Sequence, residues 1–157
     1  MRTIGIRVSP QIVYYTITEQ EQDDTISILT VDGLNVPKAL DVPKSLTFIR
    51  TTLISILEEY GVKKAGIRIH EGNTQNISIE RLNMEGVVQE LLANSTVEKY
   101  FRSKMNTLAK YLDTKSADVK ASLAGKECLE GYDIEDWATY KKEEKETILT
   151  AIAAVYI

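Results

Sequence analysis

The stretch "TIGIRVSPQIVYYTITEQ", Thr3 to Gln20, decides how the rest of the chain is read. Thr3 to Val8 alternates around Ile4, Ile6 and Val8, and Ile12 to Ile17 is rich in β-branched residues and tyrosine, with "SPQ" between them to turn the chain. Period-two alternation flanking a Ser-Pro turn is the signature of a β-hairpin. "EQEQDD" (19–24) is a polar turn, and "TISILTV" (25–31) alternates again, so the hairpin extends into a three-stranded antiparallel meander.

Beyond the meander the periodicity changes. "DGLNVPKALDVPKS" carries two prolines and a glycine and is expected to be an irregular connection crossing the sheet. Ser45 is the expected N-cap of a helix in which Leu46, Ile49, Leu53, Ile56 and Leu57 recur at helical spacing, with Gly61 as its stop. "VKKAGIRIHEG" reads as a buried strand ending at Gly72. Ser78 caps the helix "IERLNMEGVVQELLAN". "TVEKYFRSKMNTLAKYL" fits a short strand or a helix start, 113–140 is polar and turn-rich, and "YKKEEKETILTAIAAVY" closes the chain as an alanine-rich helix. A meander followed by βα crossovers gives an α/β fold with a mixed sheet and helices on both faces.

Bulk composition narrows the function classes. At 157 residues, 43% hydrophobic and 27% charged, the chain has the length and content of one soluble domain spanning 1–157. With 19 Lys+Arg against 23 Asp+Glu the formal charge is −4, and no segment forms a basic stripe, so any nucleic-acid role rests on a local site. The single cysteine, Cys128, excludes an internal disulfide and a cysteine-rich zinc site and fits a reducing compartment. There is no basic-plus-apolar N-terminal signal and no apolar run approaching ~20 residues, so a cytoplasmic protein with no membrane partner is expected.

Three local patterns then carry a resemblance. "IGIRVSPQIVYYTI", "VKKAGIRIHEG" and "EEKETILTAIAAV" resemble the opening hairpin, the fourth strand and the closing helix of the ribonuclease H-like fold, most specifically its RuvC-type Holliday junction resolvases. The resemblance implies a nuclease in which carboxylates from those three elements hold two divalent ions about 4 Å apart, Mg²⁺ being bound by hard oxygen ligands in octahedral geometry. It also implies a two-fold homodimer, since a four-way junction presents paired strands to matched subunits.

The chain departs from the pattern at two of the three places. Arg7 stands at the first-strand acid and Arg68 at the fourth-strand acid, and only Glu143 and Glu146, one helical turn apart, remain. Each arginine turns an attraction for a cation into a repulsion of roughly 4 kcal/mol at 4 Å, even at an effective dielectric of 20. The expectation is a chain without the two-metal site or a resident cofactor, in a nucleic-acid-associated binding or regulatory role. Arg7, Arg68, Glu143 and Glu146 would form an ion-pair cluster, or the arginines would hold a phosphate.

Two other readings compete. One is a Mg²⁺- or Mn²⁺-dependent nuclease using Glu71, Glu143 and Glu146; strand alternation places Glu71 on the face opposite Arg68 unless the strand ends before Gly72. The other is a protein-interaction module that never touches nucleic acid.

The remaining chemistry is sparse. His70, the only histidine, is a general base beside Glu71 or, more simply, a plain loop residue. Cys128 has no neighbouring base and reads as a passive thiol. "YDIEDW" (132–137) is a partner-docking loop or a solvated turn anchored by Trp137. Lys99, Arg102, Lys104 and Lys110 with Tyr100, Phe101 and Tyr111 could stack bases, whereas on a helix Tyr100, Met105 and Leu108 would be buried.

Overall fold

The computed structural model describes residues 1–72 and 76–157. A five-stranded sheet has the order β3-β2-β1-β4-β5, with β1 Arg2–Val8, β2 Ile12–Gln20, β3 Ile26–Asn35, β4 Lys64–Arg68 and β5 Lys99–Ser103. The first three strands form the antiparallel meander, and β4 and β5 join parallel to β1 through helical crossovers. Helices α1 (Val42–Tyr60) and α2 (Ile79–Ala93) cover one face, where Ile4, Ile6 and Val8 pack with Ile49, Leu53 and Val88. The other face carries α5 (Lys142–Val155), itself backed by α3 (Met105–Tyr111) and α4 (Ser116–Ala124).

The two faces of β1 explain the architecture. Its apolar side meets α1 and α2 through ordinary hydrophobic burial. Its other side presents Thr3, Gly5 and Arg7 to α5. Thr3 Oγ1 donates to the Ala151 carbonyl at 2.6 Å, and Thr16 Oγ1 shares a 2.7 Å hydrogen bond with Thr147 Oγ1. A Cβ on Gly5 would overlap the Thr147 carbonyl oxygen and the Ala151 amide, so only glycine lets α5 lie this close to the sheet. From Lys145 to Val155 every residue of α5 is buried, as expected for a helix sandwiched between a sheet and other helices.

Several boundaries differ from those read in the sequence, each for a local reason. The cap of α1 is Asp41, which accepts from Lys44 N at 2.9 Å, and not Ser45, which lies inside the first turn. Pro43 is tolerated there because first-turn N–H groups have no intrahelical acceptor. Gly61 closes the helix in the left-handed region at φ 62° and Ser78 caps α2, both as expected. "DGLN" belongs to β3 through Asn35, so the irregular connection begins only at Val36.

The remaining differences lie further along the chain. β4 ends at Arg68, four residues before Gly72. "KYFRS" is a strand, which leaves Tyr100 48% exposed and not buried, while Met105 is half-buried and Leu108 fully buried. The polar stretch 113–140 contains α4, which buries Val119, Ser122 and Leu123, and a 3-10 turn at Trp137–Thr139. Trp137 anchors that turn in the core, donating from Nε1 to the Ser122 carbonyl at 3.0 Å.

Candidate functional site

Parallel pairing of β1 with β4 sets Arg7 directly beside Arg68, on the face covered by α5. Two guanidiniums on neighbouring strands repel, and burial removes the water that would screen them. Glu146 sits between them. Its Oε2 accepts from Arg7 Nε and lies 3.6 Å from Arg68 Nε, and its side chain is only 5% exposed. Arg7 Nη1 also donates to Ser9 Oγ at 3.0 Å. Arg68 Nη1 donates to the Ser103 carbonyl at 2.7 Å, and Arg68 Nε is a buried donor without a hydrogen-bond acceptor among the described residues.

Glu71 joins the cluster against the alternation argument. Because β4 stops at Arg68, the chain turns and the Glu71 carboxylate comes back toward that guanidinium. Its Oε1 accepts from Arg68 Nη1 and Nη2 at 3.3 Å and from the Met105 amide at 2.6 Å, joining the end of β4 to the start of α3. Glu143 behaves differently. It is half-buried one turn before Glu146, and among the described residues its carboxylate has no ion-pair partner.

Glu143 lines a cleft of about 220 Å³ with Arg7, Ser9, His70, Ser78 and Arg81. Behind that cleft, Glu85 is 3% exposed in the apolar stripe of α2; it accepts from the His70 amide at 3.1 Å and from Arg81 Nε at 2.8 Å. Sequence reading missed this brace. Its one signal was an acid amid Met84, Val88, Leu91 and Leu92, since buried carboxylates need partners.

The donor set does not suit a pair of divalent ions. Glu146 Oε2 faces two cations, Glu71 Oε1 already receives three N–H donors, and the strand positions facing Glu146 carry positive charge. Among the described residues no three His, Cys, Asp or Glu side chains converge as a metal site would require.

The other sequence candidates fall elsewhere. Phe101 and Tyr111 pack edge-to-face with centroids 4.9 Å apart inside the α5-side core, so they do not form a base-stacking platform. Cys128 is half-buried, and that burial raises its thiol pKa, which suppresses the thiolate. No helix among the described residues is long and apolar enough to cross a membrane.

No protein-family model matches the sequence, and no curated protein matches it. Solved structures do. The RuvC structure of Thermus thermophilus aligns with TM-score 0.68 at 11% identity, over 99% of this chain and 94% of that one. The T. thermophilus RuvC in complex with a Holliday junction substrate aligns with TM-score 0.67 at 9% identity over the same shares. The yeast mitochondrial Holliday junction resolvase aligns with TM-score 0.59 at 16% identity, over 98% of this chain and 77% of that one. The likeness is one of fold: this chain has the ribonuclease H-like fold in the arrangement seen in RuvC resolvases, as the three sequence patterns implied.

Proposed function

We propose that this chain is a non-catalytic ribonuclease H-like protein that binds nucleic acid, or regulates a process on it, without cutting it. The observation that carries the reading is the convergence of Arg7 and Arg68 on Glu146, where the resemblance would put metal-binding carboxylates. A phosphodiester cleaved by two metals needs anionic ligands to hold them, and here guanidiniums neutralise the closing-helix acid instead. The nucleic-acid part rests on the shared fold with proteins whose substrates are DNA junctions.

A second reading has one observation in its favour: Glu71 does reach the same site as Glu146, so an active nuclease built on Glu71, Glu143 and Glu146 retains a geometric basis. Incubation with four-way junction and single-stranded substrates in Mg²⁺ or Mn²⁺ separates the two. The proposal expects no cleavage; cleavage abolished by Glu143→Gln would establish the nuclease. Filter binding at low salt separates both from a protein-interaction module, because nucleic-acid retention must fall as salt rises.

A further inference from the structure

The cleft beside the Arg–Glu cluster holds chemistry that the cluster does not use. Glu143, in the first turn of α5, is half-buried and has neither a hydrogen bond nor an ion pair among the described residues. Its neighbour Glu144 already closes the start of the helix by accepting from the Lys141 amide at 2.8 Å, so Glu143 is not needed as a cap. From the other face of the sheet α2 brings Arg81 to the same cleft. Its Nε is fixed on the buried Glu85 at 2.8 Å, and among the described residues neither of its Nη groups has a partner. A cleft of about 220 Å³ therefore presents an idle carboxylate and an idle guanidinium edge, and the rings of Pro10 and His70 also line it.

Charge decides against an anion as the occupant. Cluster and cleft together set the guanidiniums of Arg7, Arg68 and Arg81 against the carboxylates of Glu71, Glu85, Glu143 and Glu146. Negative groups outnumber positive ones, so an entering phosphate meets no net attraction. A neutral occupant fits if it carries two adjacent donors for the carboxylate and two adjacent acceptors for the guanidinium. Guanine has both, with N1–H and N2–H on one edge and O6 and N7 on the next. No other common base sets adjacent donors beside adjacent acceptors.

We infer that the cleft is a pocket for one unpaired guanine, with N1–H and N2–H on Glu143 and the O6/N7 edge on Arg81. The base has to be unpaired, because in a duplex cytosine occupies N1–H and N2–H. The His70 ring gives the base a face to stack on, as aromatic side chains do for splayed-out bases. This inference rests on the nucleic-acid reading above and adds the ligand to it: a guanine in a single-stranded segment, held by hydrogen bonds to its edges and not by a metal-bound phosphate.

Fluorescence anisotropy of the full chain tests it, using short labelled oligothymidylates that carry one central guanine or, in its place, hypoxanthine, which lacks only the N2 donor. Wild type is expected to bind the guanine strand about tenfold more tightly. In Glu143→Gln that ratio should fall toward one, because a carboxamide offers one oxygen where guanine needs two acceptors. Glu143 has no partner to lose within the fold, so the variant should keep the wild-type Tm. Equal binding of the two strands by wild type, or a preference that survives Glu143→Gln, would overturn the pocket and leave the nucleic-acid reading standing. Saturation-transfer NMR with free guanosine examines the pocket apart from strand binding. Guanosine bound by wild type and lost in Glu143→Gln upholds the pocket even where no strand is retained; binding of neither strand nor nucleoside overturns both.

Discussion

Replacing Glu146 by glutamine tests the charge logic of the central cluster. The change is nearly isosteric, so it leaves packing intact while removing the carboxylate that, alone among the described residues, is in ion-pair contact with both Arg7 and Arg68. With that side chain 5% exposed and Arg68 7%, water cannot take over the lost role. Removing one partner of a buried ion pair typically costs about 3–5 kcal/mol, because the remaining charge stays buried and uncompensated. Against a typical domain stability of about 5–15 kcal/mol, that is a third or more of the total in most cases. At this chain length each kcal/mol moves Tm by about 2–4 °C, so a fall of about 6–20 °C is expected. Urea unfolding followed by Trp137 fluorescence, with Tm from calorimetry, measures both quantities. In an acidic metal centre the same substitution would relieve repulsion between carboxylates and leave the apo-protein as stable or more so. A loss under about 0.5 kcal/mol, the range of an ordinary surface change, would refute the buried-pair account.

Further predictions follow from other parts of the fold. Gly5→Ala forces a methyl into the α5 backbone, which no rotamer change can relieve, and should destabilise the protein by about 3 kcal/mol, read as lost Tm or lost soluble protein. Arg7→Asp combined with Arg68→Glu sets two new carboxylates beside those of Glu146 and Glu71; the double variant should be unstable alone and gain Tm on adding Mn²⁺, about 2.7 kcal/mol at a hundredfold excess over Kd, whereas wild type should not respond. Burial, then the nearby Asp32 carboxylate, raises the Tyr15 phenol from 10.0 to about 12. The unfolded chain therefore releases that proton first, so this group's share of stability is intact below pH 10 and is lost as pH climbs toward 12. Alkaline denaturation of Tyr15→Phe against wild type should show that share missing; identical profiles would count against it.

How far the sequence reaches is clearest at individual residues. The alternation of Ile4, Ile6 and Val8, the helical spacing of Ile49, Leu53 and Leu57, and Gly61 at φ 62° were all legible, because periodicity and left-handed caps are properties of a few consecutive residues. The arginines at the first and fourth strands were legible too, as identities. Their meeting with Glu146 was not, since it depends on the parallel register Arg7↔Arg68 and on how closely α5 lies over Gly5. Glu71 shows the limit best: alternation sent it to the far face, and only the early end of β4, with the Met105 amide waiting 34 residues later, brought it back. Local chemistry therefore determined the strands, the helices and the arginines that two of the strands carry. The tertiary structure alone decided which charges meet, because an ion pair forms between residues distant in sequence and only once backbone packing has fixed where each strand stops.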